Sequence, residues 1–330
     1  MHNRTIGSLS VSAIGLGCMN MSAGYGPADD TVSTRLLNEA LDQGYTFLDT
    51  AEMYGFGHNE SLIGNALSSR RNEYVLATKC GLSKKGFDGS AAGIAQSCEA
   101  SLKKLKTDVI DLYYLHRLDP EVPIEESVAA LAKLVEEGKV REIGLSEVCC
   151  ETLQRAHAVH PIAALQSEYS LWSRTPERGV LDMCEKLGTT LVPFSPLGRA
   201  FLTGKAQDVS QLPENDLRCT IARPRFEPQA FAENSALLGP FAEVAEKNGC
   251  SMAQLALAWL LAHSDSTGAK KLVPIPGTKH IEYMQENAAA GDIALDAETV
   301  AELDALINES TVIGERYVEA RMREADSERD

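Results

Sequence analysis

No apolar run in this chain is long enough to cross a bilayer. Its first residues, MHNRTIGSLSVSAIGLG, lack the charged-then-apolar order of a secretory leader. A soluble, cytoplasmic protein is the expectation. Basic residues are scarce: 31 Lys and Arg stand against 47 Asp and Glu, a formal charge of −16. Such a field repels phosphodiester backbones and anionic headgroups, so a small-molecule partner is expected rather than nucleic acid or membrane. The eight cysteines (Cys18, Cys80, Cys98, Cys149, Cys150, Cys184, Cys219, Cys250) form no C-x-x-C pair and no ligand-spaced Cys/His set. Reduced thiols and no metal are expected, with vicinal Cys149 and Cys150 at a helix start. No G-x-G-x-x-G follows the first apolar run, which argues against an open dinucleotide-binding sheet. Oligomeric state has no readable signature.

The pattern that is present alternates short β-branched or apolar runs with longer amphipathic segments, the sign of repeated βα units. Strands are expected at 13–17, 46–49, 74–79, 109–116, 142–146, 163–168, 189–194 and 271–275. Helices are expected at 31–43, 59–69, 91–105 and 124–137, with apolar residues spaced three and four apart and Gly44 and Gly138 closing two of them. Eight strands with intervening helices predict a (β/α)8 TIM barrel, read as a single domain over residues 1–330 behind a short N-terminal hairpin. The irregular stretch 198–233, with Pro213, Pro224 and Pro228, reads as a long loop after the seventh strand, ahead of helices at 230–248 and 252–262. The charge-rich C-terminal tail from Gly314 is expected to fray, at least in its last residues.

Barrels of this kind carry their chemistry where strands end. Asp49 closes FLD, Tyr54 follows in DTAEMYG, Lys79 closes YVLATK and His116 closes VIDLYYLH. Singly, each has an ordinary explanation as a cap, packing residue, solvated strand end or core imidazole. Together they make a proton-transfer set. A phenol titrates near 10 and needs help to exchange a proton at neutral pH. Lys79 beside it is expected to lower the Tyr54 pKa, Asp49 to hold the ammonium, and His116 to hydrogen-bond a substrate carbonyl.

This set, in this order, resembles the catalytic tetrad of the aldo-keto reductase superfamily. The segments GYTFLDTAEMYG, DLYYLHRLDP, QSEYSLWSR, PFSPLGRAFLTG and IPGTKHIEYMQEN are similar to that family's, over about residues 5–307. The resemblance implies a cytoplasmic oxidoreductase reducing aldehydes or ketones with NADPH, NADH remaining open, and Tyr54 as proton donor. It also implies roles in cofactor binding: Gly17, Cys18, Met19 and Asp49 among the contacts, Ser146 and Gln166 on the nicotinamide carboxamide, and Phe194 stacked on the nicotinamide ring. Ser195, Pro196, Leu197, Gly198 and Arg199 would follow the pyrophosphate, Gly277, Thr278 and Lys279 the adenosine phosphate, and Glu286 and Asn287 the adenine. Independently, the glycine turn PGTKH entering a helix offers free N–H groups and a positive dipole end to phosphate. Met21, Met53, Tyr54, Phe56, His116 and Trp172 are candidates for the substrate pocket.

Two positions depart from the family pattern: Tyr283 stands where a polar or basic residue is frequent, and Glu147 where asparagine is frequent, removing one donor to the carboxamide. Two other functions compete. One is a nicotinamide-binding, redox-sensing regulatory subunit with incidental turnover. The other is a Schiff-base lyase with Lys79 as nucleophile, which the carboxylate of Asp49 opposes by keeping the amine charged.

Overall fold

The structure, a computed structural model, describes residues 1–265 and 271–330. Its first element is an antiparallel hairpin, β1 (Asn3–Ile6) and β2 (Leu9–Ser12). The parallel sheet then takes β3 (Leu16–Gly17), β4 (Phe47–Asp49) and β5 (Val75–Cys80). After a minor hairpin, β6 (Leu82–Ser83) and β7 (Gly86–Phe87), it continues with β8 (Ile110–Leu115), β9 (Val140–Ser146), β10 (Ala164–Glu168) and β11 (Thr190–Phe194). Strand order is β11-β10-β9-β8-β5-β4-β3, each pair parallel.

The expected eighth strand closes this sheet into a (β/α)8 barrel in a broken form. Parallel bridges Leu191↔Leu272 and Gly17↔Gly277 join it to both edges. Pro274 and Pro276 have no N–H to give, so they contribute carbonyls alone, to Gly15 and Gly17, while Val273 and Ile275 donate to Leu191 and Pro193 on the other side. The barrel interior is apolar and buried at its lower end. Ile6, Leu9 and Val11 of the hairpin pack against Phe47, Ala77, Leu112, Ala164, Val192 and Val273, so the hairpin plugs that end.

Helices α1 (Asp30–Asp42), α2 (His58–Leu67), α3 (Ala91–Leu105), α4 (Ile124–Glu136), α5 (Cys150–Val159) and α6 (Val180–Leu187) follow successive strands. They cover the barrel with their apolar faces, as the spacing predicts. The stretch expected as one helix over 230–248 is two, α7 (Pro228–Ser235) and α8 (Leu238–Lys247). Pro240 in the first turn of α8 cannot donate back to Ala236, which separates them. Then come α9 (Met252–Asp265), α10 (Ile281–Ala289), α11 (Ala297–Leu306) and α12 (Glu319–Glu324).

The tail does not fray as its charge suggests. Ala325 and Ser327 are buried, and the Asp326 and Asp330 carboxylates accept the Cys149 and Cys150 N–H groups at 2.9 and 3.0 Å. Anionic side chains at the N-terminus of α5 complement its dipole, so the acidic end of the chain finds a specific seat.

Close packing of α2 on α3 fixes the segment that carries Tyr54. A Cβ at Gly64 would lie 2.2 Å from the Lys104 carbonyl oxygen and under 3 Å from the Leu105 backbone. Backbone cannot swing aside as a side chain can. Gly64→Ala is expected to destabilise the protein by about 1–3 kcal/mol, the usual cost of overpacking, measured by denaturant unfolding. A neutral or stabilising substitution would show that the two helices separate freely.

Candidate active site

Asp49, Lys79 and His116 sit at or just past the ends of β4, β5 and β8, and parallel pairing brings those ends to one rim. Lys79 is fully buried. Its ammonium spends its donors on Asp49 Oδ1 at 2.5 Å, the Thr50 carbonyl at 2.7 Å and the Tyr54 phenolic oxygen at 3.2 Å. The other Asp49 oxygen accepts from Gln166 Nε2 at 2.8 Å. Because Lys79 donates to the Tyr54 oxygen, the phenol's own hydrogen is free to point elsewhere. His116 meets the Tyr54 ring edge-on, centroids 5.9 Å apart.

Local backbone geometry delivers Tyr54 to this position. The turn after it runs through left-handed conformations at Gly55, Phe56 and Gly57 (φ 57°, 55° and 92°). Asn59, in the first turn of α2, is wholly buried and ties three segments together. It accepts from Thr50 Oγ1 at 2.6 Å and donates to the Cys18 carbonyl and Ser22 Oγ, both at 2.8 Å.

The electrostatics correct one expectation. Burial raises the Tyr54 pKa, and Lys79, though it pulls the other way, does not overcome it. Tyr54 is therefore a loaded phenol at neutral pH rather than a partly ionised one. Burial also opposes the Lys79 charge, but Asp49 and Tyr54 outweigh it and raise the pKa. The His116 pKa is pushed well below its ordinary value by burial, then by Arg117 and Lys79, so the imidazole is neutral. It keeps one N–H to offer.

These groups open on a cavity of about 460 Å³, within the range of small-molecule sites. Gly17, Met19, Asp49, Tyr54, His116, Ser146, Gln166 and Phe194 line it, as do Ser195, Pro196, Leu197, Arg199, Gly277, Thr278, Lys279, Glu286 and Asn287. Cys18, Lys79 and Gly198 are buried behind this wall. Of the substrate-pocket candidates, Tyr54 and His116 face the cavity and the other four are off its wall. Met21 and Trp172 are packed into hydrophobic clusters, Trp172 stacked on Phe201 at 4.0 Å. Phe56 is 55% exposed, with Lys84 over its ring, and Met53 is half-buried.

Other lining residues have no counterpart among the expected site residues, Asn20, Tyr25, Arg117, Lys205, Arg218 and Tyr317 among them, whereas Tyr283, noted above as a departure from the family pattern, is on the wall. Arg117 donates to the His116 carbonyl at 2.6 Å and to Ser146 Oγ at 3.0 Å; its place directly after His116 was the available signal. Lys279 gives two hydrogen bonds to the Tyr25 and Pro27 carbonyls, 2.8 and 2.7 Å, and so fastens the loop after β3 over the cavity. Glu147 points away from the cavity into an ion pair with Arg316 at 2.5 Å, which accounts for a carboxylate beside Ser146.

The aldo/keto reductase family model matches residues 13–308. The NADP(+) aldo-keto reductase yakc of Schizosaccharomyces pombe is 42% identical over 325 residues, covering 95% of this chain and 94% of that protein. Glycerol dehydrogenase AKR11B4 from Gluconobacter oxydans superposes with a TM-score of 0.81 at 30% identity, covering 92% of this chain and 94% of its own. An aldo-keto reductase from Klebsiella pneumoniae in complex with NADPH gives a TM-score of 0.73 at 29% identity, with 96% and 99% covered.

The His116 environment has a direct spectroscopic consequence. In nitrogen-detected NMR, with the signal assigned by loss in His116→Gln, the ring is expected to stay neutral as pH falls through 6.5, the ordinary histidine value. Removing the neighbouring cation in Arg117→Gln should move the titration upward. Protonation of His116 at or above 6.5 in the unsubstituted protein would contradict the assigned electrostatics.

Proposed function

The chain belongs to the aldo/keto reductase family, and from that premise we propose that it reduces an aldehyde or ketone to an alcohol with NADPH, Tyr54 supplying the proton. The observation that carries this reading is the buried Lys79 ammonium, held by Asp49 and donating to the Tyr54 oxygen.

The cavity suits a dinucleotide on its own terms. Ser195, Gly198, Arg199 and Ala200 all have positive φ (48°, 55°, 56° and 75°), a turn conformation that groups backbone N–H donors. The N-terminus of α10 has no side-chain cap and borders the same cavity through His280 and Tyr283, which leaves N–H groups and a positive dipole end for phosphate. Lys205, Arg218 and Lys279 add positive charge to the lining, in a chain that is otherwise strongly acidic. Ser146 and Gln166 would hold the carboxamide and Phe194 the ring face. The relative from Schizosaccharomyces pombe is named for NADP(+), and the Klebsiella pneumoniae structure holds NADPH.

When bound, the cofactor supplies a hydride. The residues of this chain then govern the oxygen. A carbonyl lodged between Tyr54 and His116 accepts two hydrogen bonds, from the phenol and the neutral imidazole. Negative charge that develops on that oxygen is met by donors already in place. The Tyr54 proton passes to the nascent alkoxide, and Lys79 stabilises the phenolate left behind. Burial raises the Asp49 pKa, the Lys79 charge and the hydrogen bonds from Lys79 and Gln166 pull it back down, and the carboxyl keeps the ammonium from wandering. Met19, Leu217, Ile221 and Ala222 give the cavity an apolar share, suited to an aromatic or aliphatic carbonyl.

Tyr54→Phe removes the proton together with one of the three acceptors of the Lys79 ammonium, leaving Asp49 and the Thr50 carbonyl to hold it. It is expected to lower kcat for an aromatic aldehyde by at least about a hundredfold, the usual contribution of a placed general acid, with NADPH affinity by fluorescence titration unchanged. Retained turnover would sink the assignment of Tyr54.

A second expectation follows from the pKa directions. His116 titrates below 6.5 and Tyr54 above 10, their ordinary values, so the reductive kcat should be flat between those two pH values. An inflection inside that window, traced to either residue by its variant, would contradict the mechanism.

A further inference from the structure

The family match ends at residue 308, yet the residues beyond it reach into the site. Arg316, 3% exposed, is the centre of the arrangement. It meets Glu147 at 2.5 Å, Glu328 at 2.5 Å and Glu168 at 3.3 Å. Glu168 in turn takes Arg199 at 2.7 Å, and the Arg316 carbonyl accepts from Arg199 at 2.8 Å. Tyr317 lines the cavity with both guanidinium groups over its ring, at 4.8 and 4.9 Å. Further along, Val318 donates to the Ile221 carbonyl at 2.8 Å and Ser327 to the Glu147 carbonyl at 3.1 Å.

The positions tied together are not arbitrary ones. Glu147 follows Ser146, Glu168 lies two residues past Gln166, and Arg199 ends the turn that starts at Ser195. Glu147, Ser195, Arg199 and Ala200 are all non-glycine residues with positive φ. A side chain disfavours that conformation, which persists only where surrounding contacts impose it. For Glu147 and Arg199 the contacts come from Arg316. Two buried carboxylates would otherwise share one guanidinium, and an uncompensated buried charge is costly enough to rearrange its surroundings.

We propose that the C-terminal tail is a latch on the cofactor cavity and that Arg316 is a positioning residue for the dinucleotide. It touches neither substrate nor cofactor. It presets the Ser195–Ala200 turn and the ends of β9 and β10 in the conformation that receives them. The proposal rests on the reading that NADPH occupies this cavity. Because the coupling is reciprocal, a bound dinucleotide must hold the tail down as firmly as the tail prepares its site.

The test uses the full-length protein in two arms. By fluorescence titration, Arg316→Met should weaken NADPH binding by about tenfold or more, with Arg316→Lys intermediate because it keeps charge but loses the fork. Saturated kcat should fall much less than affinity does. In the second arm, trypsin cleaves after Arg321 and Arg323, whose side chains are 50% and 77% exposed on α12, and intact mass reads the product. NADPH should slow this cleavage in the unsubstituted protein, and Arg316→Met should speed it. Affinity unchanged in Arg316→Met, or cleavage indifferent to NADPH, overturns the latch. If Arg316→Met does not fold, the Lys variant and the cleavage of the unsubstituted protein still decide it. Absence of any NADPH binding by the unsubstituted protein would instead overturn the functional reading beneath.

Discussion

A fully buried ammonium is the constraint on which the rest of the site depends. Removing Lys79 from water would be prohibitive without compensation, and a long flexible side chain would take any available conformation if it could. Asp49 supplies the opposite charge, the Thr50 carbonyl a second acceptor and Tyr54 a third, so the ammonium is saturated. That saturation has a directional effect. With the phenolic oxygen already accepting, the phenol faces the cavity as a donor. Burial then keeps the proton on it, because an anionic phenolate is penalised by burial more than Lys79 can repay.

The barrel exists, in this light, to hold three strand ends at fixed separation while loops supply what varies. Asp49 and Lys79 are fixed by β4 and β5 in register, His116 by the strand beside them, and apolar residues of the hairpin fill the lower end of the interior. Asn59 extends the same rigidity to the turn that carries Tyr54, and the hydrogen bond from Gln166 to Asp49 extends it across the barrel to β10. The site is therefore positioned by elements that pack independently of any ligand. The cavity wall beyond it comes from the loop after β3, the stretch after β11 and the C-terminal tail, which meet over it through Lys279, Ile221 and Arg316.

Much of this was legible in the sequence because it follows from local rules. Apolar runs ending in Asp49, Lys79 and His116 mark strand ends, and the alternation of strands and helices specifies the barrel. The less legible parts have physical reasons. Asn59 looks like an ordinary polar helix residue, and only the three partners it satisfies reveal why it is buried. Met21 and Trp172 lie near the rim in sequence, but packing decides which way an apolar side chain turns. The sign of the Tyr54 shift follows from desolvation, a property of the folded surroundings. Charge density in the tail suggested fraying, whereas the acidic residues are spent on α5 and the arginine on buried carboxylates. Pro240 and the prolines of the last strand were visible, and their consequences, a split helix and a strand that bonds on alternate residues, follow directly from the missing N–H.

The central claim concerns where hydrogens are, and neutron diffraction from a deuterium-exchanged crystal locates them. The account predicts three deuterons on Lys79 Nζ, one directed at the Tyr54 oxygen, and a single deuteron on that oxygen directed into the cavity. A neutral amine accepting from Tyr54, or a bare phenolate at neutral pH, would contradict it.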